Sequence, residues 1–142
     1  MNNLRIRVHE KHNEAFSPKT VTIDGKVWTA DNLDIDDGGD GIGHTSFGVG
    51  YDLDAAKRVA SSLDGWHIPT TAEWKSLLQG ADYDADLDVY SPSSVLRDRL
   101  PMEKGSCFWS SEGDAIWVDN ANVEIAKKYD PDYQIQLRLV KD

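Results

Sequence analysis

Cysteine is almost missing from this chain: Cys107 stands alone among 142 residues, so no intrachain disulfide forms and stability must come from the core. A lone thiol also leaves no paired-cysteine chemistry, and it favours folding in a reducing compartment. Basic residues are the minority, 15 against 25 acidic, and a formal net charge of -10 opposes the phosphate contacts that nucleic-acid affinity requires. Nucleic acid is not an expected partner, and the acidic excess needs no more than a solubility role. No apolar run approaches the ~18 residues of a membrane span, and no basic leader followed by an apolar stretch opens the chain. The expectation is a soluble protein without an export signal. His9, His12, His44 and His67 lack the paired spacing of a helical metal motif.

The length suits one domain with a sizeable core. Tryptophan is plentiful, and Trp28, Trp66, Trp74 and Trp109 are expected to supply much of that core. The most informative local signal is Gly65-Trp66-His67-Ile68-Pro69-Thr70-Thr71-Ala72-Glu73-Trp74. Thr70 and Glu73 have capping-box spacing, Pro69 bars a helix entering from upstream, and Trp74, Leu77 and Leu78 line one helical face before Gly80. This predicts a helix over Thr71 to Gln79. A first helix is expected over Asp52 to Leu63, with Asp52 as cap and Leu53, Ala56, Val59 and Ala60 on one face. Asp24-Gly25 between Val21, Ile23 and Val27-Trp28 predicts a hairpin.

Leu4, Ile6 and Val8 alternate with polar residues, predicting a strand that extends the sheet or pairs with another subunit. Asp34 to Gly50 is glycine- and aspartate-rich without periodicity and reads as a loop. From Ala81 to Met102 the text is irregular, with a short helix suggested where Pro92 would take the first helical position ahead of Val95, Leu96 and Leu100. Short strands follow around Cys107 to Trp109, Ala115 to Val118 and Asn122 to Ile125. A last strand is expected where Tyr133, Ile135, Leu137 and Leu139 alternate with Gln134, Gln136 and Arg138. The fold class is therefore α+β, with helices beside a mainly antiparallel twisted sheet and long irregular loops.

These blocks resemble, in order, those of the Fibrobacter succinogenes major paralogous domain family. They are Val27 to Leu33, Gly50-Tyr51 leading to Ala55-Ala56, Gly65 to Trp74, Phe108-Trp109-Ser110-Ser111, and Leu137 to Asp142. The resemblance implies a C-type-lectin-like fold related to formylglycine-generating enzymes, with two helices on the sheet. It covers residues 20–142 and leaves 1–19 as an amino-terminal strand or extension. Members of the family commonly carry cysteines where this chain has Ser62 and Leu139, so the implied disulfide is gone. The stretch from Gln79 to Cys107 is also shorter and more acidic than in the family.

Candidates for chemistry are few. Cys107 precedes Phe108-Trp109 in an expected strand and reads as a buried small hydrophobe, and His67 reads as a hydrogen-bonded packing residue. Alternating aspartates gather hard oxygen ligands, so Asp34, Asp36 and Asp40, with Asp37, form a candidate calcium site, and Asp82, Asp84, Asp86 and Asp88 a second. Gly39 takes the sixth place of an EF-type loop, but Thr45 and Ser93 fall where the bidentate glutamate belongs. The Glu-Pro-Asn sugar motif of animal C-type lectins is absent, and Trp117-Val118-Asp119-Asn120 only loosely resembles their tryptophan-asparagine-aspartate element. No other cofactor is expected.

The resemblance further implies that loops between the second helix and the last strand form one exposed surface. Here they hold Tyr83, Tyr90, Trp117, Asn120, Asn122, Tyr129 and Tyr133, residue types that suit protein anchors or sugar faces. The expected function is non-enzymatic recognition of a protein or glycan on a cell surface. The alternative is a structural subunit of a larger assembly, such as a bacteriophage adhesin or decoration protein, with homo-oligomeric or virion partners, made in the cytoplasm and assembled on a virion or surface.

Overall fold

Asp24 and Gly25 both adopt left-handed backbone angles, φ 50° and 82°, the pair a two-residue type I′ turn demands. They join strands β1 (Thr20–Ile23) and β2 (Lys26–Thr29) as the sequence predicts. The computed structural model describes residues 16–142, so the strand expected over Leu4 to Val8 lies outside the described residues.

The chain next forms β3 (Ile42–Thr45) and β4 (Gly48–Tyr51), a two-stranded ribbon within the segment read as a loop. Its glycines concealed it, because they leave no alternating pattern. They are needed where the chain crosses itself: a Cβ on Gly50 would lie 3.2 Å from the backbone of Gln134. Helix α1 (Leu53–Ser61) begins at Asp52, whose carboxylate accepts from the Ala55 amide at 2.8 Å, and it buries Ala55, Ala56, Val59 and Ala60. It stops two residues short of Leu63, with Ser62 as its C-cap.

After β5 (Trp66–His67), helix α2 (Thr71–Ser76) carries the full capping box. Thr70 Oγ1 accepts from the Glu73 amide at 3.0 Å, and Glu73 Oε1 accepts from the Thr70 amide at 2.9 Å. It ends before Gln79 because the Leu77 and Leu78 amides donate to Trp74 and Lys75, tightening the last turn toward Gly80 at φ 99°. Trp74, Leu77 and Leu78 are nonetheless buried, as their spacing requires. The short helix suggested after Pro92 forms as α3 (Ser94–Arg99), a third beside the two that the resemblance implies. Its N-cap is Ser93, so Pro92 precedes the helix instead of opening it.

The largest sheet comprises β6 (Asp82–Asp84), β7 (Val89–Ser91), β8 (Ser106–Trp109), β9 (Ala115–Val118) and β10 (Val123–Ala126), in the order β6-β7-β10-β9-β8 and antiparallel throughout. Both faces of β8 and β9 are covered, whereas β6 is exposed throughout. Phe108, Ile116, Val118 and Val123 pack with Trp28, Trp74, Leu77, Leu96 and Leu100. Cys107, Trp109 and Ala115 pack with Tyr51, Leu137, Leu139 and the alanine face of α1. Indole donors tie the two cores together: Trp74 Nε1 donates to Trp109 O at 3.2 Å, and Trp109 Nε1 donates to Tyr51 O at 2.7 Å. Trp66 differs from the other core tryptophans in being half-buried, edge-on to Phe16 at 5.7 Å.

The expected final strand is the main correction. Only β11 (Val140–Lys141) pairs as a strand, between β2 and β5 in a second antiparallel sheet of order β1-β2-β11-β5. Upstream of it, every residue from Ile135 to Leu139 is buried, including Gln136 and Arg138 on the side expected to be wet. The segment runs between the sheets, so neither of its faces meets solvent. Among the described residues no helix is long and apolar enough to cross a membrane.

Trp109→Phe removes one of the two donors to the Tyr51 carbonyl, the Ile135 amide at 3.0 Å being the other, and leaves a void where the second indole ring packed. It should lower unfolding free energy by about 1–3 kcal/mol in a urea titration followed by circular dichroism.

Candidate functional site

The register of the five-stranded sheet decides which candidate residues meet. Trp117 lies opposite Glu124, whereas Tyr90 lies opposite Val123. Neighbouring residues on a strand point to opposite faces, so Trp117 and Tyr90 belong to different sides of the sheet. The single surface expected from the sequence is therefore divided into two.

On one side Tyr129 is the hub. Its ring lies 6.0 Å from buried Trp109, 6.2 Å from half-buried Trp117 and 5.3 Å from Tyr133, all in edge contact. Tyr133 is 55% exposed, so a row of rings runs from the core to solvent. On the other side Tyr83, 52% exposed, lies across β6 and β7 from Tyr90 with centroids 4.9 Å apart. The Tyr83 hydroxyl donates to Asp88, which holds the ring in place. Around this pair is a cleft of about 250 Å³ that also includes Lys75, Ile125 and Lys127. Asn120 and Asn122 sit in the turn between β9 and β10. Their carbonyls accept from Ser93 Oγ at 3.0 Å and from the Asp119 amide at 2.9 Å.

The aspartates of the first candidate calcium site have separate local partners. Asp36 accepts from the Gly38 amide at 2.9 Å and lies 3.3 Å from His44 Nε2. Arg58 grips Asp37 through two bonds, Nε to Oδ2 at 2.8 Å and Nη2 to Oδ1 at 3.0 Å, and also donates to the Asp40 carbonyl. That guanidinium holds the Asp37 carboxyl below its usual range. Asp34 and Asp40 are exposed. In the second cluster Asp84 accepts from the Asp86 and Leu87 amides, which shapes the turn from β6 to β7. Among the described residues no three His, Cys, Asp or Glu side chains gather closely enough to hold a metal ion.

Cys107 is buried, and burial pushes its thiol well above the normal range, which disfavours the nucleophilic thiolate. His67 is committed to two carboxylates: Nδ1 lies 2.7 Å from Asp142 and Nε2 lies 2.9 Å from Glu73. A neutral imidazole has one N–H, so only the cation satisfies both neighbours. Partial burial opposes the charge, yet the bonds to Asp142 and Glu73 outweigh it and raise the pKa. For Glu73, burial is again the opposing influence. The bonds from Lys26, the Thr70 amide and His67 overcome it and bring the carboxyl down to about 2.

Arg138 is the residue that sequence reading missed, because alternation placed it in solvent. It is 3% exposed and has no carboxylate within ion-pair distance among the described residues. Its Nε donates to Asn32 Oδ1 at 2.8 Å, Nη1 to Ala30 O at 3.1 Å and Nη2 to Pro101 O at 3.1 Å, and its guanidinium lies 5.3 Å over the Phe108 ring. Burial lowers its pKa to about 10. The signal that could have found it is a cation in a segment otherwise rich in core residues.

Compared with protein-family models, curated proteins and solved structures, the chain matches none.

The network of His67, Glu73, Asp142 and Lys26 sets a pH window. Glu73 stabilises the fold fully above its unfolded value of 4.5, and this is lost as pH falls through about 2. His67 stabilises it fully below 6.5, and this is lost as pH rises through the raised folded value. The difference in melting temperature between the natural chain and His67→Gln should be largest between pH 4.5 and 6.5 and shrink on the alkaline side. A difference independent of pH in calorimetric scans would contradict this.

Proposed function

We propose that the chain is a non-enzymatic recognition module of C-type-lectin-like architecture, binding a protein or glycan through exposed aromatic residues. One observation carries this reading: each of the two strongly exposed tyrosines among the described residues rests on a second, half-buried tyrosine that packs against a core. Tyr133 rests on Tyr129 and Tyr83 on Tyr90, at ring separations of 5.3 and 4.9 Å. A backed ring offers a large amphipathic contact area with little side-chain freedom left to lose, the property that makes tyrosine effective in recognition loops.

Two further observations support it. The thiol and the described imidazole best placed for chemistry are one buried and one held between two carboxylates. The mixed α+β architecture supports it as well: β1–β2 near the start of the described chain and β11 near its end share one sheet, while the aromatic rings stand on intervening segments. Asn120 and Asn122 contribute to the fold through their carbonyls, which leaves their amide groups as candidate polar contacts.

The test is a glycan array together with pull-downs from bacterial envelope extracts, using the natural chain, Tyr83→Ala and Tyr133→Ala. Both variants should fold with stability changes of about 1 kcal/mol or less, since exposed rings contribute little burial. At least one should lose binding about tenfold or more, as expected of a hot-spot tyrosine. Unchanged binding in both would remove this reading.

A further inference from the structure

A buried guanidinium is costly, and among the described residues Arg138 has no carboxylate in ion-pair contact; Asp31 acts on it only through space and does not outweigh burial. Three of its five N–H groups are used on Asn32, Ala30 and Pro101, and all three acceptors are uncharged. Two N–H groups, one on each terminal nitrogen, have no partner among the described residues. Arg138 also forms part of the wall of a cleft of about 370 Å³, together with Asp31, Asn32, Pro101, Met102 and Glu103. That volume lies within the range of small-molecule sites, about 300–1,000 Å³. Charge is arranged in depth: the cation is at the buried end, whereas Asp31 and Glu103 are exposed.

We propose that this cleft binds a small zwitterion, carboxylate inward on Arg138 and cationic group outward between Asp31 and Glu103. A carboxylate is the planar acceptor that matches a guanidinium fork, and it supplies the hydrogen-bonded anionic partner that Asp31, acting only through space, does not. A simple anion would meet the two acidic side chains on its way in, and a simple cation would meet Arg138 at the base. Only a ligand with both charges is complementary throughout. A free basic amino acid and the carboxyl-terminal residue of a basic peptide both have this chemistry. The site is separate from the tyrosine pairs and does not depend on their role.

The test is titration of the full chain with L-lysine, Nα-acetyl-L-lysine, L-lysinamide and acetate. It would be followed by NMR through the Arg138 Nε–H and the Met102 methyl. Replacing Arg138 strips three acceptors of their donor and threatens the fold, so the variants are Asp31→Asn and Glu103→Gln, both at exposed positions. Lysine or its acetylated form should saturate both signals, with lysinamide and acetate at least about tenfold weaker, a loss of ~1.4 kcal/mol or more. Each variant should weaken lysine binding about three- to tenfold while leaving acetate unchanged. Tighter binding of Nα-acetyl-lysine supports a peptide terminus as the natural source, and tighter binding of lysine supports a free amino acid. Lysinamide binding as tightly as lysine, variants without effect, or no saturable shift with any ligand at about 10 mM would each overturn the proposal, since useful small-ligand affinity begins near ~1 mM.

Discussion

The backbone hydrogen bonds of residues 135–141 hold the molecule together. Tyr51 and Ile135 exchange amide and carbonyl bonds at 2.7 and 3.0 Å, attaching the ribbon of β3 and β4. Gln136 then donates to Cys107 at 2.9 Å and accepts from Trp109 at 3.3 Å, which covers the β8 edge of the five-stranded sheet. The carbonyls of Leu137 and Leu139 accept from Leu33 and Thr29, and Val140 lies between Trp28 and His67. Each bond satisfies a polar group that would otherwise be buried without a partner. Among the described residues this stretch bonds through its backbone to both sheets and the ribbon, and side chains reinforce the arrangement where Trp109 Nε1 donates to Tyr51 O and Trp28 packs with Trp74 and Phe108.

Burial on both faces of that stretch explains its odd composition. Leu137 and Leu139 enter the core shared with α1, while Gln136 and Arg138, both buried, point the other way toward polar partners. Gln136 Nε2 donates to Thr45 Oγ1 at 3.0 Å, and Arg138 fastens the Ala30 to Asn32 loop to Pro101. The exposed row of aromatic rings inherits its stiffness from the same framework. Tyr129 can hold Trp117 and Tyr133 at fixed distances because it leans on Trp109, which is hydrogen-bonded to the carbonyl of Tyr51.

Features governed by local chemistry were legible in the sequence. The capping box at Thr70 and Glu73, the Asp52 cap, and the Asp24-Gly25 turn each depend on residues a few positions apart. Strands β8 and β9 were legible from their apolar runs, because strands covered on both sides need apolar residues at most positions, and β10 from buried Val123 and Ile125 flanking exposed Glu124. What escaped was set by distant partners. Arg138 finds Asn32 106 residues away and Gln136 finds Thr45 91 residues away, so nothing adjacent to either announces its burial. The β3–β4 ribbon escaped because its glycines serve a crossing with Gln134 instead of a packed face. The two-sided arrangement of the tyrosines follows from which β10 residue stands opposite Tyr90 and Trp117, and pairing register is invisible without the partner strand.

Since the stretch that joins the sheets is made after nearly all of its partners, a nascent chain stalled before Ile135 holds both cores open. The bonds to Tyr51, Leu33 and Thr29 close loops of some 80 to 110 residues, and contacts of such separation form slowly because their entropic cost comes before their reward. Until then the β8 edge, with Cys107 and Trp109 beside it, remains unpaired and apolar, a template for stray strands on crowded ribosomes. Closure of the two cores therefore awaits synthesis of residues 135–141, and the hazard before that point is aggregation through β8.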